Sequence, residues 1–296
     1  FRKMGLIGTL RLPFVILTPA CVVLGIATAL SSGGTPRWWE VLLVTVGAIL
    51  THLVVNILNE YQDHKSGLDS KTHRTPFSGG SGSLQENPQL APRALFLGLA
   101  TAAAAAGIGI YFVVTGSPLL LVFGAVGLLA ALFYTPWIAK QPLICLIAPG
   151  LGFGTCMVIG THLALGGSLT WATVIASFIP FFLVSNLLLI NQFPDVEADR
   201  QVGRKNIVIT AGYRTGAMVY GLFLLLTYAA IAIGVITRQF PLWSLLGLLT
   251  LPAAAKTFLG ALKNGNNTEK LISDLGLNVI IVLLTPVLTA IGIFTG

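Results

Sequence analysis

The sequence predicts an all-α polytopic membrane protein of nine transmembrane helices around a central cavity, and three observations lead there. Of the 296 residues, 55% are hydrophobic and only 9% are charged, with a mean hydropathy of +0.86. A soluble domain needs a polar surface to enclose its core, and this composition does not supply one. The apolar residues also fall into runs of about 20, the length an α-helix needs to cross the hydrocarbon of a bilayer. Finally, the charged residues collect between alternate runs instead of spreading evenly along the chain.

The runs occupy residues 12–30, 41–59, 94–115, 119–138, 143–164, 170–192, 213–236, 242–262 and 275–294, and they read as one domain over residues 1–296. In the first, "ATA" at Ala27 to Ala29 looks like a signal cleavage site, but the apolar stretch is longer than the roughly 7–15 residues of a signal core, so a retained helix is expected. The string "AAAAAG" in the third run offers a close-packing surface. The fourth and fifth runs are divided only by "WIAKQP". Cys21, Cys145 and Cys156 all fall inside runs without metal-ligand spacing and read as small buried hydrophobes. His52 and His162 read as satisfied intramembrane polar groups, while His64 and His73 lie nearer the polar loops and are candidate proton carriers.

With nine spans, the N-terminus and the loops after spans 2, 4, 6 and 8 share one side of the membrane. That side carries 15 of the 17 Lys and Arg residues, Arg37 and Arg238 being the others. The positive-inside rule makes it cytoplasmic and puts the C-terminus outside, in the inner membrane of a bacterial or archaeal cell. The net charge of +7 is then explained by topology and anionic lipid, not by a nucleic acid partner. Nine of the ten acids lie on the same side, Glu40 being the exception. Orientation does not account for them, because Asp and Glu contribute little to it.

Two clusters hold most of these acids. In "NEYQDHKSGLD", Asn59 and Asp63 are four residues apart on a helix, and Asn56 and His52 continue the stripe back into the membrane. Gly67 then lets the chain turn so that Asp69 comes back towards Asp63. In "NQFPDVEADRQVGRK", Asn191, Asp195 and Asp199 repeat at i, i+4 and i+8. Carboxylates gathered at a membrane surface need a cation, and hard oxygen donors suit Mg²⁺, which is usually held by a few carboxylates plus phosphate oxygens of a substrate. The interleaved Lys65, Arg74, Arg200, Arg204 and Lys205 suit phosphate too, so a lipid diphosphate is the expected ligand. Arg11, in "LRLP", falls at the cavity mouth or serves as an interfacial anchor. The Gly and Ser rich "TPFSGGSGSL", Thr75 to Leu84, reads as a connector or a lid.

These two clusters resemble the motifs of the UbiA superfamily of intramembrane prenyltransferases: Asn59-x-x-x-Asp63 with Gly67 and Asp69, and Asp195-x-x-x-Asp199 with Arg200, Gly203 and Lys205. Within the superfamily the spacing is most similar to the 1,4-dihydroxy-2-naphthoate prenyltransferases of menaquinone synthesis. It differs at Glu60, where those enzymes usually carry Asp, at Pro194, where many carry Arg, and in the apolar "PLICLIAPGLGFG". The resemblance implies Mg²⁺ held by Asn59, Asp63, Asp69, Asp195 and Asp199, and catalytic roles for Asp63, Asp195, Lys205 and Tyr134. It also implies substrate contacts from Asn56, Lys65, Arg74, Lys140, Asn191, Arg200, Lys205 and Arg11. The partners implied are a prenyl diphosphate, an aromatic acceptor and membrane lipid, with Tyr61, Tyr134 and Phe77 shielding an allylic cation. A cation-coupled transporter would instead place charge near the bilayer midplane on broken helices, and here the acids sit at helix ends.

Overall fold

The computed structural model describes residues 5–68, 75 and 80–296, and among these every regular element is a helix. Nine apolar helices carry the fold: α1 (Leu17–Ser31), α2 (Trp38–Ser66), α3 (Ala91–Thr115), α4 (Leu120–Phe133), α5 (Pro142–Ala164), α6 (Trp171–Asn191), α7 (Ile207–Ile236), α8 (Leu242–Asn264) and α9 (Thr268–Thr295). Seven of them are long and apolar enough to span a bilayer. An eighth span forms when α1 is joined across a 42° bend to the Gly5–Val15 segment before it, and α4 is a shorter apolar helix.

Sequence-local chemistry sets the helix ends. Thr170, Asn206 and Asn267 cap α6, α7 and α9, each accepting from a backbone N–H three residues on, as short polar side chains do at N-caps. Gly67 ends α2 in the left-handed conformation at φ 73°, which costs little without a Cβ. α2 therefore runs seven residues past the expected end at 59, and the Asn59/Asp63 motif lies on the helix itself, not in the loop after it. α4 stops at Phe133 instead of 138 and is followed by turns and a short helix, Ile138–Lys140. Gly212, at φ 86°, interrupts α7, so its unbroken part starts at 213 as expected.

α1 packs between α5 and α9, and α6 lies against both α5 and α7, so the last helix closes the bundle against the first. The approach of α5 to α6 depends on glycine. A Cβ on Gly154 would come within 2.3 Å of the Phe181 backbone. The same stretch, Leu151–Cys156, is wound as a π-helix, a distortion frequent at functional sites. Buried polar pairs tie other helices together: Asn186 Nδ2 donates to the Tyr220 carbonyl at 2.8 Å, and the Tyr220 hydroxyl donates to Asn278 Oδ1 at 2.8 Å. His52 and His162 are satisfied as expected, His52 by Thr18 at 2.8 Å and His162 by the Ser168 carbonyl at 2.9 Å. Large apolar side chains such as Phe96, Val114, Trp171 and Ile236 face outward, where lipid is their natural solvent.

Candidate active site

A cavity of about 260 Å³ opens between the helices. One wall is the α2 stripe, from which His52, Asn56, Asn59 and Asp63 all face it. At 1.5 Å per residue the stripe covers about 16 Å of depth. Asn191, Asp195 and Asp199 face it from the other side, but not from one helix. α6 ends at Asn191, Gln192 to Asp195 form turns, and Val196–Gln201 is a separate short helix. Pro194 is the cause, since its ring denies the ladder an N–H and crowds the preceding turn.

The two motifs meet on Arg204. Its guanidinium donates through Nη2 to Asp63 Oδ1, and through Nη1 to Asp199 Oδ1 at 3.2 Å. Asn206 Nδ2 adds a longer contact to Asp199 Oδ2 at 3.4 Å. Arg204 can fold back because Gly203 takes φ 76° and the Arg204 N–H returns to the Asp199 carbonyl at 3.0 Å. Burial pushes the Asp199 carboxyl above its usual range, with the Arg204 charge opposing it and Asp63 adding to it. Burial alone would depress the Arg204 guanidinium, but the two carboxylates outweigh it and hold it well above its ordinary value.

Arg11 reaches the cavity from the N-terminal segment. It adopts φ 48°, uncommon for a residue with a side chain, and is held from three directions. Its Nη1 donates to Asn59 Oδ1 at 3.3 Å, its Nε lies 3.7 Å from Glu60, and its guanidinium stands 5.1 Å over the Phe14 ring. Backbone strain of this kind persists only where the surroundings over-determine it. Asn59 in turn donates to Thr135 at 2.9 Å, and Asn56 to the Leu10 carbonyl at 2.9 Å. Tyr134 also lines the cavity, with its hydroxyl 3.5 Å from Cys145 Sγ.

Glu60 does something else. It is 1% exposed and turned away from the cavity, and it accepts from the Ser81 N–H and the Ser81 hydroxyl, both at 2.7 Å. The departure from Asp at this position therefore has a structural reason: the longer side chain reaches the returning end of the Gly/Ser-rich segment, whose Gly80 lines the cavity.

Several expected bases are not brought in. Lys65, Lys140, Arg200 and Lys205 have exposed side chains and do not line the cavity. Arg200 pairs with Glu197 at 3.1 Å instead. The sequence pattern names Arg204 only among the interleaved bases and gives its role to Lys205. The available signal was the turn-forming Gly203, which sends the next side chain back over Asp199. Tyr61 does not line the cavity either, whereas Phe14 and Phe153 do. Asp69, Arg74, His73 and Phe77 lie outside the described residues.

The donor set fits a Mg²⁺ ion of the substrate-assisted kind. Among the described residues no three acid, His or Cys side chains form a protein-only cage, but Mg²⁺ with a phosphate ligand needs only one or two carboxylates. Asp63, Asp195 and Asp199 supply more than that. The Asn191 Oδ1 atom is buried with no hydrogen-bond partner, an amide oxygen suited to a hard cation or its water.

The pattern of the UbiA prenyltransferase family matches residues 17–280. The chain is a member of that family. As a UbiA prenyltransferase it is an integral membrane enzyme that transfers prenyl groups. It is 26% identical to the 1,4-dihydroxy-2-naphthoate octaprenyltransferase of Bacillus subtilis over 72% of this chain and 68% of that one. It is 24% identical to the enzyme of the same name in Escherichia coli over 86% of this chain and 84% of that one. Its fold is that of a UbiA homologue from Archaeoglobus fulgidus solved with DMAPP and Mg²⁺, at a TM-score of 0.61 and 13% identity over 100% of this chain and 99% of the other.

Proposed function

We propose that this UbiA prenyltransferase moves a prenyl group from a prenyl diphosphate to an aromatic acceptor inside the membrane, that the reaction requires Mg²⁺, and that the acceptor is 1,4-dihydroxy-2-naphthoate. The observation that carries the reading is the convergence of Asp63 and Asp199, 136 positions apart in the chain, on one guanidinium at the wall of an otherwise largely apolar cavity. The acceptor is supported by the names of the two bacterial relatives. The 15 to 2 charge split supports a cytoplasmic N-terminus and cytoplasmic active-site loops, with the C-terminus outside.

Asp63, Asp195 and Asp199, with Asn59 and Asn191, would hold the metal, which when bound supplies positive charge to the diphosphate. Asp69, next in the sequence motif, would assist. Arg11 and Arg204 face the same volume and would take phosphate oxygens that the metal leaves free; the exposed Lys65, Lys140, Arg200 and Lys205 would draw the anion toward the cavity, and Arg74, named by the sequence, would add its charge. The C–O bond to the diphosphate breaks, and the departing oxygens collect the electron pair among these cations. An electron-rich ring carbon of the acceptor then forms the new C–C bond and gives up the group it carried, a proton or the carboxylate as CO₂, so that the ring becomes aromatic again. The rings of Tyr134, Phe14 and Phe153 line the space in which the allylic cation forms, so they would shield it from water and stabilise it through their faces.

The test is direct. Membranes containing the protein are incubated with labelled prenyl diphosphates and a panel of aromatic acceptors, and products are weighed by mass spectrometry. A prenylated product of the naphthoate acceptor, with or without its carboxylate, should form with Mg²⁺ and disappear with excess chelator. Undiminished turnover in chelator would end the metal reading, and product only with another acceptor would end the naphthoate reading.

A further inference from the structure

We propose that Arg204 is a placeholder for the metal: in the empty enzyme it holds Asp63 and Asp199, and it passes from the carboxylates to the diphosphate when metal and diphosphate enter together. The inference rests on the diphosphate and Mg²⁺ reading above and adds the order and coupling of binding.

Three observations carry it. First, the guanidinium uses two of its nitrogens on two different carboxylates, one from each motif. It therefore occupies the space between the groups that a cation would otherwise neutralise. Second, Arg204 is not fixed within a helix. It lies in the connector between Val196–Gln201 and α7, directly after the turn at Gly203, and its side chain, 20% exposed, lines the cavity. Third, Asp199 keeps a second partner, Asn206, which is anchored as the N-cap of α7. Asp199 is thus held in position by a neutral group when the guanidinium moves away.

The electrostatic consequence has a definite sign. A divalent ion arriving alone must compete with a resident positive charge at the same oxygens, so it binds weakly. A diphosphate arriving with it offers the planar guanidinium a pair of phosphate oxygens to bind in exchange. Each ligand then tightens the other by the same factor, as linkage requires. A plain structural brace has the opposite sign, since removing it would loosen the carboxylates and weaken metal binding.

The experiment uses the full chain in detergent, Mn²⁺ as an EPR-visible divalent ion, and inorganic diphosphate. Affinities are corrected for Mn²⁺–diphosphate association in solution. Wild type should bind Mn²⁺ weakly alone, and diphosphate should tighten it within the range of about 5–150-fold typical of site coupling. Arg204→Gln should bind Mn²⁺ alone more tightly than wild type, with the diphosphate effect shrinking towards none. Arg204→Lys, which keeps the charge but not the two-pronged contact, should fall between. Unchanged or weaker Mn²⁺ binding by both variants, with coupling intact, would overturn the placeholder role while leaving the function above standing. Failure of both variants to fold would overturn it too, by making Arg204 a brace. If wild type bound no Mn²⁺ even with diphosphate, the metal reading itself would fall, and the placeholder role with it.

Discussion

Shortening Glu60 to Asp restores the residue usual at this position in the naphthoate enzymes, and for this protein the change should be damaging. Glu60 is 1% exposed and accepts two hydrogen bonds of 2.7 Å from Ser81. Removing one methylene retracts the carboxylate by about 1.5 Å, one carbon–carbon bond. Both contacts then stretch to about 4 Å, outside hydrogen-bond range. Bonds to a charged group contribute about 1.5–3 kcal/mol each, so the ceiling on the loss is about 3–6 kcal/mol for the pair. Movement of the Ser81 segment towards the shortened side chain recovers one of the two, leaving about 1.5–3 kcal/mol. That corresponds to a fall of about 3–12 °C in the melting temperature of detergent-purified protein. Glu60→Gln keeps the reach but offers only one acceptor oxygen, so it should lose less. Melting curves and limited proteolysis between residues 69 and 84 are the assays. An Asp variant that melts like wild type and is cut no faster would refute the claim that Glu60 anchors this segment.

Other outcomes follow from the same geometry. Asp63→Asn and Asp195→Asn should each lower turnover at saturating prenyl diphosphate by about 10²–10³, the usual loss for one electrostatic contact to developing charge. Exposed Glu86→Gln should leave it within about 0.5 kcal/mol of wild type, and equal damage at Glu86 would count against the site. Mn²⁺ binding without diphosphate should fall on the acid side through a midpoint above the ordinary Asp value of about 3.9, because burial raises the Asp199 carboxyl and only its ionised form holds a cation. Arg204→Gln removes the opposing charge and should move that midpoint higher; an unmoved midpoint would contradict the pairing. Cysteines introduced at the exposed positions Ser66, Gln201 and Asn266 should be labelled from the cytoplasmic side and one at Thr35 from the other, and opposite labelling of Ser66 and Gln201 would separate the two motifs.

The parts of this protein that were legible in sequence are those set by composition and by short-range periodicity. Runs of apolar residues about 20 long have one stable solution in lipid, a helix, which is why eight of the nine expected spans lie on helices that cover most of each run. α4 is shorter because residues 134–137, though apolar enough to be counted with the run, form turns that carry Tyr134 and Thr135 to the cavity wall and to Asn59. The His52–Asn56–Asn59–Asp63 stripe was legible for the same local reason, since a single helix fixes its face. Which bases reach the cavity was not. That depends on where the turn at Gly203 points and on Arg11 adopting a left-handed backbone, both set by packing between distant segments. Glu60 read only as a departure from the usual Asp, and its role was hidden for a related reason. Its partner Ser81 is 21 residues away, and nothing local distinguishes a ligand carboxylate from one that ties down a loop.

The second motif shows how a correct outcome can follow from an incorrect local picture. Spacing at i, i+4 and i+8 places Asn191, Asp195 and Asp199 on one face of a helix, and all three do line the cavity. On a continuous helix, however, Asp199 would stand about 12 Å beyond Asn191 along the axis. Each step of four residues would also turn it about 40° further round. It would extend past the end of α6, away from Asp63. The break at Pro194 changes this. Ending α6 at Asn191 and restarting the helix at Val196 lets the chain fold back over the opening, so that Asp199 meets the same guanidinium as Asp63. The proline that departs from the usual residue at this position thus sits at the break across which the second carboxylate turns back to the first. Removing it, by making α6 straighter, should separate them.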